Sequence, residues 1–111
     1  MGVKGCPIER TVNILDGKWT LLILRDLFTG TKRFGELRSS LTGVSPKTLS
    51  ERLRILEKQG IVERTIYPEV PPRVEYSLTE KGQDLVEVIT CMRCYGNRWL
   101  CDSAASPDAS R

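Results

Sequence analysis

The sequence predicts a mainly α-helical domain with a small β-hairpin, arranged as a helix-turn-helix that carries a wing. Three features point to it. Two short amphipathic helical segments meet at a turn bearing Gly43, the layout of a helix-turn-helix. Two β-prone runs follow at once, separated by a loop holding Pro68, Pro71 and Pro72, which cannot continue a ladder. A long amphipathic segment then closes the patterned part of the chain. At 111 residues the chain has the length of one domain, and a domain of that size needs no disulfide to complete its core.

The elements follow in order. A first helix is expected over residues 6–15, where Pro7 suits the first turn and Ile8, Val12 and Leu15 form one apolar stripe. Gly17 interrupts it. A second helix is expected over 18–28, with Leu21, Leu22, Ile23, Leu24 and Leu27 apolar on several sides, the mark of a buried central helix ended by Gly30. A short third helix over about 33–40 turns Phe34, Leu37 and Leu41 inward. Ser45 as N-cap and Pro46 at the first helical position open a fourth helix, in which Leu49, Leu53 and Leu56 recur at helical spacing before Gly60 closes it. Residues 61–67 alternate in part. Residues 73–78 alternate strictly, with Val74, Tyr76 and Leu78 on one face and Arg73, Glu75 and Ser77 on the other. Thr79 starts a last helix expected to run unbroken to about Leu100, with Leu85, Val88, Ile89, Met92, Tyr95 and Trp99 along one stripe. The domain is therefore expected over residues 6–101, with an N-terminal arm at 1–5 and a disordered Ser/Ala/Pro/Asp-rich tail at 102–111.

Composition excludes several function classes. A hydrophobic fraction of 40% with 28% charged residues is that of an ordinary soluble domain. No apolar run approaches the ~20 residues that span a bilayer. The opening Met1-Gly2-Val3-Lys4 lacks the apolar core of a signal peptide, so a cytoplasmic location without a membrane partner is expected. There is no histidine, which removes the commonest general base and metal ligand. No catalytic residue, cofactor or metal is expected, and the chain is not read as an enzyme. The net charge of +3 conceals an asymmetry: +5 over residues 1–60 and −2 over 61–111. The basic part is the part suited to a polyanion.

At ~100° per residue, the stripe opposite Leu49, Leu53 and Leu56 carries Lys47, Ser50, Glu51, Arg54 and Lys58. A helix fits the major groove of B-DNA, where its N-terminal residues reach base edges. Lys47 and Arg54 suit phosphates or guanine, Ser50 several base edges, and Glu51 the amino group of cytosine. Thr48 lies on the flank, beside a phosphate strand. A solvated face of mixed charge fits the same residues. On the hairpin, Arg64 near the base and Arg73 at the tip suit the minor groove or a phosphate. The alternative for Arg73 is an ion pair with Glu75 or Glu63.

Several stretches in the right order resemble the HxlR family of small bacterial winged-helix transcription regulators, over about residues 6–95. They are Cys6-Pro7-Ile8-Glu9, Gly17-Lys18-Trp19-Thr20-Leu21-Leu22-Ile23-Leu24-Arg25, Arg33-Phe34-Gly35-Glu36-Leu37 and Val44-Ser45-Pro46-Lys47-Thr48-Leu49. The most telling is Tyr67-Pro68-Glu69-Val70-Pro71-Pro72-Arg73-Val74-Glu75-Tyr76-Ser77-Leu78-Thr79, the wing signature. The resemblance implies a regulator that binds double-stranded operator DNA as a symmetric homodimer, its N- and C-terminal helices packing across the two subunits. It places Leu85, Val88, Ile89, Met92, Tyr95 and Trp99 at the interface, with Ile8 and Val12. The last helix by itself agrees, since its apolar stripe needs a covering partner. Two reading helices about 34–36 Å apart imply an inverted-repeat operator.

Four cysteines remain. Cys6 sits at the expected start of the first helix, where unpaired N–H groups favour a thiolate. Some HxlR-like regulators sense oxidants or electrophiles near this position, so Cys6 is a candidate redox sensor and a small-molecule or oxidant signal a candidate input. The alternative is a small residue buried at a dimer seam. Cys91, Cys94 and Cys101 carry nothing over from the family. They support a rival reading as a redox or metal protein, but structural zinc usually takes four ligands and only three cysteines are local. A surface thiol pair is the simpler reading. A second rival is a winged helix used for protein–protein contact.

Overall fold

A computed structural model of the chain describes residues 6–100. The expected arm at 1–5, the tail at 102–111 and Cys101 lie outside the described residues.

The helices α1 (Pro7–Leu15), α2 (Lys18–Leu27), α3 (Phe34–Ser40) and α4 (Pro46–Lys58) form where the apolar spacing places them. α2 is the central one, burying Ile23, Leu24 and Leu27 together with Thr20 and Asp26. Leu37 and Leu41 close one side of this core; Leu49, Leu53 and Leu56 of α4 close the other, with Val44, Ile61 and Val62 completing the cluster. Ser45 caps α4 as its side chain predicts: Oγ accepts from the Thr48 N–H at 3.1 Å. Gly60, at φ +76°, turns the chain out of α4, a conformation that a side chain would strain.

The sheet has three antiparallel strands, not the two of a simple hairpin. β1 (Lys32–Arg33), β2 (Val62–Tyr67) and β3 (Arg73–Leu78) lie in the order β1-β3-β2. β1 pairs Lys32 with Tyr76 and Arg33 with Glu75. Two polar residues show no periodicity, and a pairing partner more than forty positions away leaves no local mark, so this strand is absent from the pattern of the sequence.

The expected single last helix is also corrected. It is two helices, α5 (Glu80–Gln83) and α6 (Val86–Trp99). α5 is fastened to the end of α4. The Thr79 hydroxyl donates to the Gly60 carbonyl and accepts from the Gly82 N–H at 3.1 Å, and Lys81 Nζ reaches the Gln59 carbonyl at 2.9 Å. The chain then tightens: the Leu85 N–H bonds the Gly82 carbonyl at 3.0 Å, an i to i−3 step, before α6 sets off. One tightened turn barely shifts a helical stripe, so the apolar spacing runs through the break without showing it. Leu85 ends up against the core, apart from the rest of its predicted stripe.

Gly82 is the closest approach in this junction. A Cβ there would lie 2.3 Å from the Ile61 carbonyl oxygen, whereas a Cβ on Gly35 would meet nothing within 4 Å. Gly82→Ala must push α5 away from Ile61 and Leu78 and is expected to destabilise the fold by about 1–3 kcal/mol, the range for overpacking. Gly35→Ala is expected to change stability by less than about 1 kcal/mol. Urea denaturation of the two variants checks the difference.

Candidate nucleic-acid interface

The interface is built on α4. Leu49, Leu53 and Leu56 are at most 1% exposed, which fixes the rotation of the helix. Lys47, Ser50, Glu51 and Arg54 are then exposed together along its outer side. Thr48 is half-buried on the flank, and its Oγ1 accepts a hydrogen bond from Ser45 Oγ at 3.0 Å. The helix-turn-helix pair α3 and α4 thus leaves the N-terminal turns of α4 clear of other elements. Ile55, outside the predicted set, also reaches this surface and is exposed.

The two wing arginines are in different circumstances. Residues opposite each other in a ladder share a face. Arg64 faces with Tyr76, in register with it; Arg73 faces with Tyr67. The first face looks toward α4 and the second away from it. Arg73 is engaged within the wing: NH1 bonds Glu75 at 3.0 Å, NH2 bonds Glu69 at 3.0 Å, and the guanidinium lies 4.0 Å from the Tyr67 ring centroid. Glu75 is one of the partners the sequence offers for it; Glu69, on the loop, is not. Arg64 makes a looser contact with Glu57 of α4, at 3.6 Å, with the two side chains 45% and 37% exposed.

Between α4 and the wing lies a cleft of about 270 Å³ lined by Ser50, Leu53, Arg54, Glu57, Arg64 and Tyr76. Burial raises the Tyr76 hydroxyl above the ordinary tyrosine range; Arg64 opposes this and Glu57 adds to it. The hydroxyl is therefore a donor at neutral pH. Glu57 and Tyr76 are absent from the predicted site. Their signal is readable in hindsight, because Ser50, Arg54 and Glu57 recur at spacings of four and three on one stripe, but which stripe faces the wing is decided by tertiary packing.

A second surface is formed by α1 and α6. α1 and α6 bury none of their residues. Ile8 is 74% exposed, Val12 56%, Tyr95 62% and Trp99 63%, with Met92 and Val88 exposed between them. An apolar groove of about 550 Å³ joins the two helices, and Ile8, Val12, Leu15, Leu21, Val88 and Met92 line it. Ile89 is half-buried. Of the predicted dimer residues, Ile8, Val12, Val88 and Met92 line this one groove, Tyr95 and Trp99 are exposed further along α6, and Leu85 packs against the core instead.

Cys6 is the N-cap of α1, exposed, with Pro7 at the first helical position. Cys91 and Cys94 are exposed free thiols on α6. Among the described residues, no group of three or more Cys, Asp or Glu is placed to hold a metal ion, and no helix is long and apolar enough to cross a membrane.

Comparison with known proteins places this architecture. The HxlR-like helix-turn-helix family matches residues 14–104. An HTH-type transcriptional regulator of Synechocystis sp. is 52% identical over 95 residues, covering 86% of this chain and 70% of the relative. Among solved structures, the redox regulator HypR in its reduced form superposes with a TM-score of 0.81 at 39% identity, covering 86% of this chain and 96% of that one. The reduced form of the transcriptional regulator YodB from Bacillus subtilis superposes with a TM-score of 0.76 at 37% identity, covering 91% of this chain and 99% of that one. With the family match running from the end of α1 through α6 and the winged helix-turn-helix in place, the chain belongs to the HxlR-like helix-turn-helix family of transcription regulators.

Proposed function

We propose that this chain is a cytoplasmic, non-enzymatic repressor or activator that binds an inverted-repeat operator as a homodimer. The observation that carries the reading is the clear outer side of α4, where Lys47, Ser50, Glu51 and Arg54 stand exposed over a fully buried leucine stripe. In this reading α4 enters the major groove, Lys47, Ser50, Glu51 and Arg54 meet base edges and phosphates, and Thr48 lies beside the backbone. Arg73 stands apart in this set. A phosphate reaching it would compete with Glu69 and Glu75, so it also serves to hold the wing tip in shape. Two subunits pair through the α1 and α6 surface, with Ile8, Val12, Val88, Ile89, Met92, Tyr95 and Trp99 covered. Leu85 serves the core beneath them. The likeness to HypR, described as a redox regulator, supports Cys6 as the residue through which an oxidant or electrophile signals. Cys6 is exposed and precedes Pro7 and Ile8, which line the groove, so a modified Cys6 alters the edge of the surface the dimer covers.

Three measurements test this. Anisotropy titration against the upstream promoter region should show tight binding to one inverted repeat, and Lys47→Ala or Arg54→Ala should weaken it by roughly 5- to 100-fold, the worth of a good base or phosphate contact. Equal affinity for every duplex defeats the reading. Light scattering should give the mass of two chains, and Val12→Asp with Met92→Asp should give one chain with an unchanged circular dichroism spectrum. A wild-type monomer at micromolar concentration removes the dimer. Diamide or a quinone should lower operator affinity of the wild type but not of Cys6→Ser; an identical response in both removes Cys6 as the sensor.

A further inference from the structure

The cleft between α4 and the wing is not accounted for by base reading or by dimerisation. Ser50, Arg54 and Glu57 line its helix side, and Arg64 and Tyr76 its sheet side. Two guanidinium groups and one carboxylate line it, and Arg64 meets Glu57 from the opposite side. Its volume of about 270 Å³ is several times the ~30 Å³ share of one water, so it is not filled by the protein's own side chains.

Position decides what it can take. Arg54 lies seven residues beyond Lys47, about 10 Å further along the helix axis. The major groove is about 12 Å wide. With the N-terminal turn of α4 at the bases, Arg54 and the cleft beside it come to the edge of the groove, where the phosphates run. A phosphate diester accepts hydrogen bonds and donates none. The cleft offers it the forked donors of Arg54 and Arg64, the Ser50 hydroxyl and the Tyr76 hydroxyl. Only Glu57 opposes it, and Glu57 already holds Arg64, at 3.6 Å in a half-exposed pair of the kind that is weak in water.

We propose that this cleft seats one backbone phosphate of bound DNA between Arg54 and Arg64, and that Glu57 holds Arg64 only until the phosphate takes its place. The inference rests on the DNA-binding reading and names a contact within it. It makes Arg64, on the wing face that looks toward α4, the wing's phosphate ligand, and leaves Glu57 as a carboxylate that weakens binding.

The test uses the full chain and a labelled duplex of mixed sequence, because a phosphate contact is indifferent to sequence. Affinity is measured by anisotropy across a series of salt concentrations. Arg64→Ala should weaken binding to every duplex and lower the slope of log K against log salt by about 0.9 for each subunit in contact. Arg64→Lys should keep the slope. Glu57→Gln should tighten binding by roughly two- to fivefold, the fold-change that a weak exposed pair represents. A wild-type slope in Arg64→Ala, or weaker binding in Glu57→Gln, overturns the proposal while the DNA-binding reading stands. No salt-dependent binding by the wild type overturns both. If Arg64→Ala does not fold, the Arg64→Lys and Glu57→Gln arms decide.

Discussion

Leu49, Leu53 and Leu56 lie on one stripe of α4, and their burial with Ile23, Leu24 and Leu27 sets the rotation of that helix about its axis. Burying a leucine side chain stabilises by about 1.5–3 kcal/mol, so turning α4 by even a quarter would expose several such groups. Everything on the opposite stripe is placed by this constraint without any contact of its own. Lys47, Ser50, Glu51 and Arg54 look outward because the leucines look inward. The wing follows from the same helix: Gly60 ends it, Ile61 and Val62 bury against it, and β2 leaves from there with Arg64 still within reach of Glu57.

Polar contacts refine what the core sets. Isolated surface ion pairs contribute little, about 0–1 kcal/mol. The Arg73 cluster differs in that one guanidinium is held by two carboxylates and a ring, which limits the number of arrangements open to the loop between β2 and β3. That loop carries three prolines, so its backbone is already restricted. Stiff loop and clamped arginine together restrict the shapes open to the wing tip. The strict alternation of β3 divides the labour: one face anchors the wing to α4 and the other closes its tip.

Much of this was legible in the sequence, for identifiable reasons. The leucine stripe, the Ser45-Pro46 helix start and the alternation through Val74, Tyr76 and Leu78 are local patterns, and a single helix or strand expresses them. The outer residues of α4 follow from the stripe by subtraction. What was hidden is what depends on residues far apart. β1 exists only because β3 lies beside it. The helix before the break at Leu85 is fastened to the end of α4 by Thr79 and Lys81, and Gly82 leaves no room for a Cβ beside the Ile61 carbonyl, 21 positions away. The cleft was hidden for the same reason: Glu57 and Arg64 are ordinary surface charges until the turn at Gly60 folds β2 back along α4.

The helices α1 and α6 pose the opposite problem, since their sequence is more apolar than the fold of one chain requires. Neither buries a residue, yet Ile8, Val12, Val88, Met92, Tyr95 and Trp99 are all large apolar side chains. Exposed apolar residues scattered singly need no explanation, but a continuous surface with a groove of about 550 Å³ does. Only the end of α1, through Ile14 and Leu15, packs against the core, so the exposed apolar side chains of these helices are not explained by the fold of one chain. The surface is also not remote from α4. Gly17, at the junction of α1 and α2, lines the groove, and a Cβ on it would lie 3.6 Å from the guanidinium carbon of Arg52, on α4. The Arg52 side chain of α4 therefore lies beside the turn that joins α1 to α2, so the apolar surface and α4 share a border at Gly17.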